Sequence, residues 1–364
     1  MRILASAQDF GLGPLTMLDS VISRLPPEFT IWFWLPDHLR ARLSASSNSG
    51  TFLPYRAESL PPDLDRYDGV VVACDYDLVD RIGNVIPSAV VLDMLFWFWS
   101  EMPTPNHDNC LIVAQNFFGV QERAAKSTNT VVVSPFQVVE HANGTKQRST
   151  LVNLGGFTSP HHDSGMAATY IELILPALKS LLESEGEVVI AGGDHILAAI
   201  EEMLPGRCDL RALRHDEMKQ EMMNCQRFVS VPGIGAIYES FSARAPTFFL
   251  PPTNLTQLLQ SESLRTQLRY PYLSLPFSWR TGSKTSQLSE SEFISSLFHH
   301  YRSHTTTHAA SLDKAIKRFA IDVLTSPGVF DGFAHRIERF MAIESGPPTV
   351  DRVIAQIYAG VEGA

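Results

Sequence analysis

Short runs of apolar, largely β-branched residues alternate along this chain with longer stretches whose apolar positions recur every three or four residues. RILASA (2–7), TIWFWL (30–35), GVVVAC (69–74), AVVLD (89–93), LIVAQ (111–115) and TVVVS (130–134) read as strands. They are apolar almost without alternation, as parallel strands covered on both faces are. Helical patterns lie between several of them. Pro14–Leu25, for example, carries Leu15, Leu18, Ile22 and Leu25 on one face. After the polar stretch VEHANGTKQRS (139–149) the pattern begins again. Its strands are TLVNL (150–154), EVVIA (187–191), CDLRAL (208–213), RFVSV (227–231) and PTFFL (246–250), with helices at about 165–184, 195–204, 216–225, 234–243 and 254–264. Two α/β units joined near residue 145 are expected, with a cleft between the carboxyl ends of their sheets, where open α/β sheets bind ligands.

Composition narrows the partners. The 364 residues exceed the roughly 100–200 of one ordinary domain, and 45% hydrophobic with 19% charged residues is globular. No apolar run approaches the roughly 18 residues of a spanning helix, so no transmembrane segment is expected. The start, MRILASAQDFGLG, lacks the zones of a signal peptide, which points to a cytoplasmic address. Cys74, Cys110, Cys208 and Cys225 form no C-x-x-C and support neither a disulfide framework nor a thiolate zinc site. A net charge of −10 without Lys or Arg clusters argues against nucleic acid and favours a small ligand.

Val231–Gln257, VPGIGAIYESFSARAPTFFLPPTNLTQ, is the stretch richest in chemistry. Gly233 and Gly235 stand where the strand RFVSV enters a helix, and the backbone from Gly233 through Ile234 and Gly235 to Ala236 would present N–H groups and a helix dipole to phosphate oxygens. Glu239, a turn into the helix, suits the two hydroxyls of a ribose. After the next strand, Pro251-Pro252 halts the chain and Thr253 is expected as N-cap, placing Asn254 and Gln257 at the sheet's carboxyl edge. Their amides donate and accept, as sugar hydroxyls require. The order reads as pyrophosphate, ribose, then sugar.

The run G-x-G-A-x-x-E followed by P-P-x-N-x-x-Q resembles the donor-binding half of GT-B glycosyltransferases, which use nucleotide sugars. The resemblance extends to QDFGLGP (8–14), a glycine-rich loop with Gly13 after the first strand. It also takes in LVNLGGFTSP (151–160), where Gly155 and Gly156 would face the donor phosphates, and the block from Arg211 to Ser240. It implies two Rossmann-like domains. An acceptor-binding domain would span 1–145 and a donor-binding domain 146–335, with C-terminal helices at 336–364 crossing back to the first domain. Among the departures, relatives carry a catalytic His where this chain has Pro14, and Leu213-Arg214-His215 replaces the Trp-x-Pro-Gln element that stacks the base. Arg214 could pair with a phosphate or be solvated. Asn254 and Gln257 replace an acidic residue and a glutamine.

Without that His, Asp9 and Asp93 are the strand-end carboxylates that could serve as base, and each could equally cap a turn. His107, His141, His161 and His162 are loop histidines of the kind more often merely solvated. A weakly acidic or heteroaromatic nitrogen acceptor would need little help from a base. MLFWFWSEMP (94–103) has four aromatics directly after a strand; Phe96, Trp97 and Trp99 could pack in the core, form an acceptor wall, or touch a membrane surface. His300, His304 and His308 share helical spacing, but the threonines between the last two weaken the helix, and no metal is expected. Met218, Met222 and Met223 read as core.

The expected protein is therefore a glycosyltransferase with no resident cofactor, monomeric or homodimeric, moving a sugar, with inversion, from a nucleotide diphosphate to a small acceptor. A hydrolase or 2-epimerase on the same fold, and a non-catalytic nucleotide-sugar binder, are the alternatives.

Overall fold

Seven strands join in one parallel sheet: β1 (Arg2–Ala7), β2 (Thr30–Phe33), β3 (Thr51–Phe52), β4 (Gly69–Ala73), β5 (Ala89–Asp93), β6 (Cys110–Gln115) and β7 (Thr130–Val133), ordered β3-β2-β1-β4-β5-β6-β7. Five more form a second parallel sheet: β8 (Ser149–Leu154), β9 (Glu187–Gly192), β10 (Asp209–Arg211), β11 (Arg227–Ser230) and β12 (Thr247–Phe249), ordered β10-β9-β8-β11-β12. This computed structural model describes residues 1–44, 49–56, 58–99, 101–136, 149–157, 161–183, 187–269, 289–307, 314, 317–318, 321 and 349–362. The linker region foreseen at 139–149 lies outside them except for Ser149.

Burial explains the apolar runs: every residue of β4 and β5 is buried, so neither face has reason to alternate. Helix α1 (Gly13–Ile22) packs Leu15, Leu18 and Ile22 inward. It stops short of the foreseen Leu25 because Arg24 and Leu25 donate three residues back, in a tighter turn before Pro26. Strand β2 likewise ends at Phe33. Trp34 N–H still reaches the Ala5 carbonyl at 2.9 Å, but the Trp34 carbonyl takes the Ser6 hydroxyl at 3.0 Å. Strand β3 was not foreseen, since two residues carry no periodicity. The short helices α2 (Asp37–Arg40), α3 (Tyr76–Ile82) and α4 (Val120–Ala124) complete the connections described around this sheet.

Around the second sheet lie α5 (Ser164–Glu183), α6 (Asp194–Met203), α7 (His215–Asn224), α8 (Ile234–Ser242), α9 (Leu255–Ser263) and α10 (Glu290–Thr307). Met222 and Cys225 join Leu151, Val189, Ala191, Phe228, Ala243 and Ala245 in one core, and Met218 and Met223 pack against it. Helix α5 is, among the described residues, long and apolar enough by composition to cross a membrane over Gly165–Glu183, which corrects the expectation that no stretch reaches that length. Half of that stretch is buried, and α5 packs on α6, α10 and β9.

The chain divides into two compact units. One comprises Met1–Gln137, Arg214–Asp216 and Met341–Ala364; the other comprises Val138–Leu213 and Glu217–Phe340. The C-terminal helix α11 (Thr349–Glu362) belongs to the first and packs on β4, β5 and β6, with Val353 and Ile357 fully buried. Gln356 secures it by donating to Asn109 Oδ1 at 2.7 Å and by accepting the Ser88 hydroxyl at its carbonyl, 3.2 Å away. All four cysteines are free, three buried and Cys208 partly so.

Candidate functional site

In an open parallel sheet the binding crevice lies at the carboxyl ends of the strands where the order reverses. In the first sheet that point falls between β1 and β4. The loop after β1 is pinned by Gln8 N–H on the Ala73 carbonyl at 2.9 Å and turns at Gly11, whose φ of +68° suits glycine. Asp9 projects from this loop, and its Oδ1 lies 3.0 Å from Nε2 of His38 in α2, with the side chains 33% and 51% exposed. Next to them, Tyr55 packs on Trp34 with ring centres 4.6 Å apart and the planes tilted by 48°. Burial, then the negative charges of Asp9 and Asp75, push its hydroxyl above the usual range. Asp75 caps α3 by accepting Leu78 N–H at 3.1 Å, and burial raises its carboxyl.

Gly13 begins α1, where a Cβ would lie 3.0 Å from Met94 Sδ, so its smallness serves packing at this point. Pro14 follows it, buried in the first turn.

Asp93 corrects another expectation. It is 0% exposed and both its oxygens are engaged: Oδ2 accepts Tyr76 O–H at 2.6 Å and Trp99 Nε1–H at 2.9 Å, and Oδ1 accepts Leu95 N–H at 2.6 Å. Burial raises its carboxyl, while those three bonds and the charge of Arg123 oppose the rise. A carboxylate sealed in this way anchors the aromatic run and is not open to an acceptor proton. Phe96 is also fully buried, beneath the Arg123 guanidinium at 5.9 Å, and so belongs to the core and not to a pocket wall. Trp97 and Trp99 are half-buried, against Phe117 at 5.0 Å and Tyr76 at 6.1 Å respectively.

In the second sheet the reversal falls between β8 and β11. Asn153 knits it: Nδ2 donates to Ser230 Oγ at 3.1 Å and its carbonyl accepts Val231 N–H at 3.2 Å. Its Oδ1 takes the Gly155 N–H at 3.0 Å, so that N–H is spent on the turn Gly155–Phe157, which also contains Gly156. The start of α8 differs. No side chain caps it, so the first-turn N–H groups of Ile234, Gly235 and Ala236 are not met by a capping oxygen. Gly233, its N-cap, has ordinary extended angles, and a Cβ placed there meets nothing within 4 Å. Ile234, Ile237 and Phe241 bury the inner face of α8, and Glu239 is only 5% exposed on the same helix. Leu213 and Ala236 pack against the core, and Arg214 Nε meets Asp216 Oδ1 at 3.3 Å.

Three consecutive carbonyls fix the turn before α9. Pro251 accepts Tyr170 O–H at 2.6 Å, Pro252 accepts Tyr301 O–H at 2.7 Å, and the Thr253 carbonyl lies 3.2 Å from His162 Nε2. Burial lowers the pKa of His162, whose Nδ1 is buried without a partner. The N-cap is Asn254, not the expected Thr253: its Oδ1 accepts Gln257 N–H and the Thr256 hydroxyl, both at 2.9 Å. Gln257 Oε1 returns to Thr253, accepting its N–H at 2.8 Å and its hydroxyl at 3.0 Å. Both amide oxygens are thus consumed, while the two NH2 groups have no partner among the described residues. The sequence did not suggest the aromatic clamp, because it joins residues 49 to 91 positions from the turn.

The remaining histidines fall elsewhere. His107 is buried with both ring nitrogens committed, to the Ile86 carbonyl at 2.9 Å and Asn109 N–H at 3.2 Å. His161 is exposed, and His141 lies outside the described residues. His300 and His304 fall on α10 and His308 beyond the described residues; among those described, no three His, Cys, Asp or Glu side chains gather as a metal-binding group.

No protein family model matches the chain, and no curated protein matches it. Among solved structures it is similar to CalG4, the calicheamicin glycosyltransferase, with a TM-score of 0.51 and 14% identity over 98% of both chains. It is also similar to Arabidopsis thaliana UGT89C1 complexed with UDP, with a TM-score of 0.50 and 11% identity over 94% of this chain and 99% of that one. At such identity the likeness establishes architecture.

Proposed function

With the GT-B fold of the glycosyltransferase superfamily as its frame, this protein, we propose, transfers a sugar from a nucleoside diphosphate to a small-molecule acceptor. The observation that carries the reading is the uncapped start of α8 at the order reversal of the second sheet, with open space over Gly233. The N–H groups of Ile234, Gly235 and Ala236 meet the diphosphate and stabilise the charge that grows on it as the sugar leaves. Glu239 accepts from the ribose hydroxyls. Asn254 and Gln257 contribute N–H donors only, since the local cap holds their oxygens. They therefore point to sugar oxygens that accept. The reading gives Gly156 a place beside the diphosphate and Trp97 and Trp99 the flat contacts for an acceptor.

The test is calorimetric titration with UDP and TDP, followed by mass spectrometry of mixtures of nucleotide sugar and a panel of phenolic and heteroaromatic acceptors. Binding at 100 times the dissociation constant should stabilise the protein by about 2.7 kcal/mol. Glu239→Ala should lose much of that. Sugar release without acceptor would indicate hydrolysis, a changed donor sugar would indicate epimerisation, and binding without turnover would indicate a non-catalytic binder. No response to any nucleotide would refute the proposal.

A further inference from the structure

Resting on the transferase reading, we infer that His38, held by Asp9, is the group that takes the acceptor's proton. The two residues are 29 apart in sequence and meet because of how the first sheet ends. Trp34 N–H on Ala5 and Ser6 Oγ on Trp34 tie the exit of β2 to β1, and Pro36 then turns the chain into α2. His38 is thereby set 3.0 Å from Asp9. An aspartate carboxylate accepts only, so the shared proton sits on Nε2 and Nδ1 keeps its lone pair. That nitrogen belongs to a ring half open to solvent, where an acceptor can reach it.

Three other positions considered for this role in the first unit offer no open base. Pro14 has no base to offer, Asp93 is sealed by Tyr76, Trp99 and Leu95, and both nitrogens of His107 are committed. Asp9 and Asp75 both act on Tyr55 in this corner, opposed by Arg81, and Asp37 and Arg40 flank His38 on α2.

In the step assigned to this pair, the acceptor O–H proton passes to His38 Nδ1 as the oxygen lone pair forms a bond to the anomeric carbon. The bond from that carbon to the diphosphate oxygen breaks, and its electron pair leaves with the diphosphate. Asp9 balances the imidazolium and is a positioning residue, and the ring later returns its proton to water.

The experiment compares wild type with His38→Ala, His38→Gln and Asp9→Asn on phenols of graded acidity, with and without added imidazole. Donor affinity is measured calorimetrically in each variant. His38→Ala should keep donor affinity and lower kcat by about 10²- to 10⁴-fold on weakly acidic phenols, the ordinary range for a general base. The loss should shrink as the phenol becomes more acidic, and imidazole should restore part of it. Asp9→Asn should give a smaller loss that imidazole does not restore. Unchanged kcat in His38→Ala overturns the assignment. So does a loss that is independent of phenol acidity and unaffected by imidazole, which would indicate mere structure. Absence of transfer by the wild type would instead overturn the transferase reading, and the assignment with it.

Discussion

Removing the hydroxyl of Tyr170 isolates what the aromatic clamp does for the turn that presents Asn254 and Gln257. Tyr170→Phe keeps the ring, which packs with Phe157 at 5.0 Å and Tyr301 at 6.3 Å, and deletes only the 2.6 Å bond to the Pro251 carbonyl. Tyr170 is 0% exposed, so water cannot readily replace the lost donor. A buried carbonyl deprived of its partner costs about 1–3 kcal/mol. Because the turn leads into the cap of α9, that cost should appear as local opening, with amide exchange in the peptide 250–263 faster by about 5- to 30-fold for 1–2 kcal/mol. Hydrogen exchange read by mass spectrometry is the assay, since a single unfolding free energy is ill defined for a chain of two units. Tyr301→Phe should act on the same turn, and the double variant should depart from additivity, because both hydroxyls hold adjacent carbonyls. Exchange in 250–263 indistinguishable from wild type would show that the turn is held by its prolines, and the clamp argument would fail.

Three further outcomes follow from the same geometry. Burial raises the folded-state pKa of Asp93, so its contribution to stability is full below the unfolded value of 3.8 and is lost as pH rises through the folded value; Asp93→Asn should abolish that share of the slope, read from hydrogen exchange of the peptide containing β5 at several pH values after correction for intrinsic exchange rates. His162 behaves oppositely: its lowered pKa gives stability present above 6.5 and lost as pH falls through the folded value, so acidification should speed exchange around α9 in wild type more than in His162→Gln. Gly233→Val should cost only about 1 kcal/mol of stability, the loss of a better N-cap residue, because the site has ordinary angles and open space, yet weaken calorimetric binding of nucleoside diphosphates; undiminished affinity would remove α8 from the donor site.

Much of the architecture was legible because burial on both faces of a parallel strand leaves a mark that needs no tertiary knowledge. VVVA and AVVL could hardly be anything else, and the strand-to-helix step at Gly233 carries its own punctuation. The short pieces were not legible. Strand β3 has two residues, and the helices flanking β2 and β6 have four and five, too few for a period to register. The N-cap at Asn254 was missed by one position because Thr253 is an equally good capping residue by type, and only the hydrogen bonds distinguish them.

Roles separated from residue types in the same way. Asp9 and Asp93 look alike in sequence, each a carboxylate at a strand exit. Three donors, from Leu95, Trp99 and the more distant Tyr76, close over Asp93, while a histidine 29 residues away meets Asp9 and leaves it partly open. The dipeptide Asp37-His38 just after a strand was the available hint, but nothing local says which loop it would face. The chain by itself determined which of the longer segments are strands and helices and where a glycine opens one of those helices, because those follow from local propensity and composition. Tertiary structure alone decided which polar groups are spent on the protein and which are left over for a ligand, because a hydrogen-bonding group is committed or free only once the distant atoms that could satisfy it are in place.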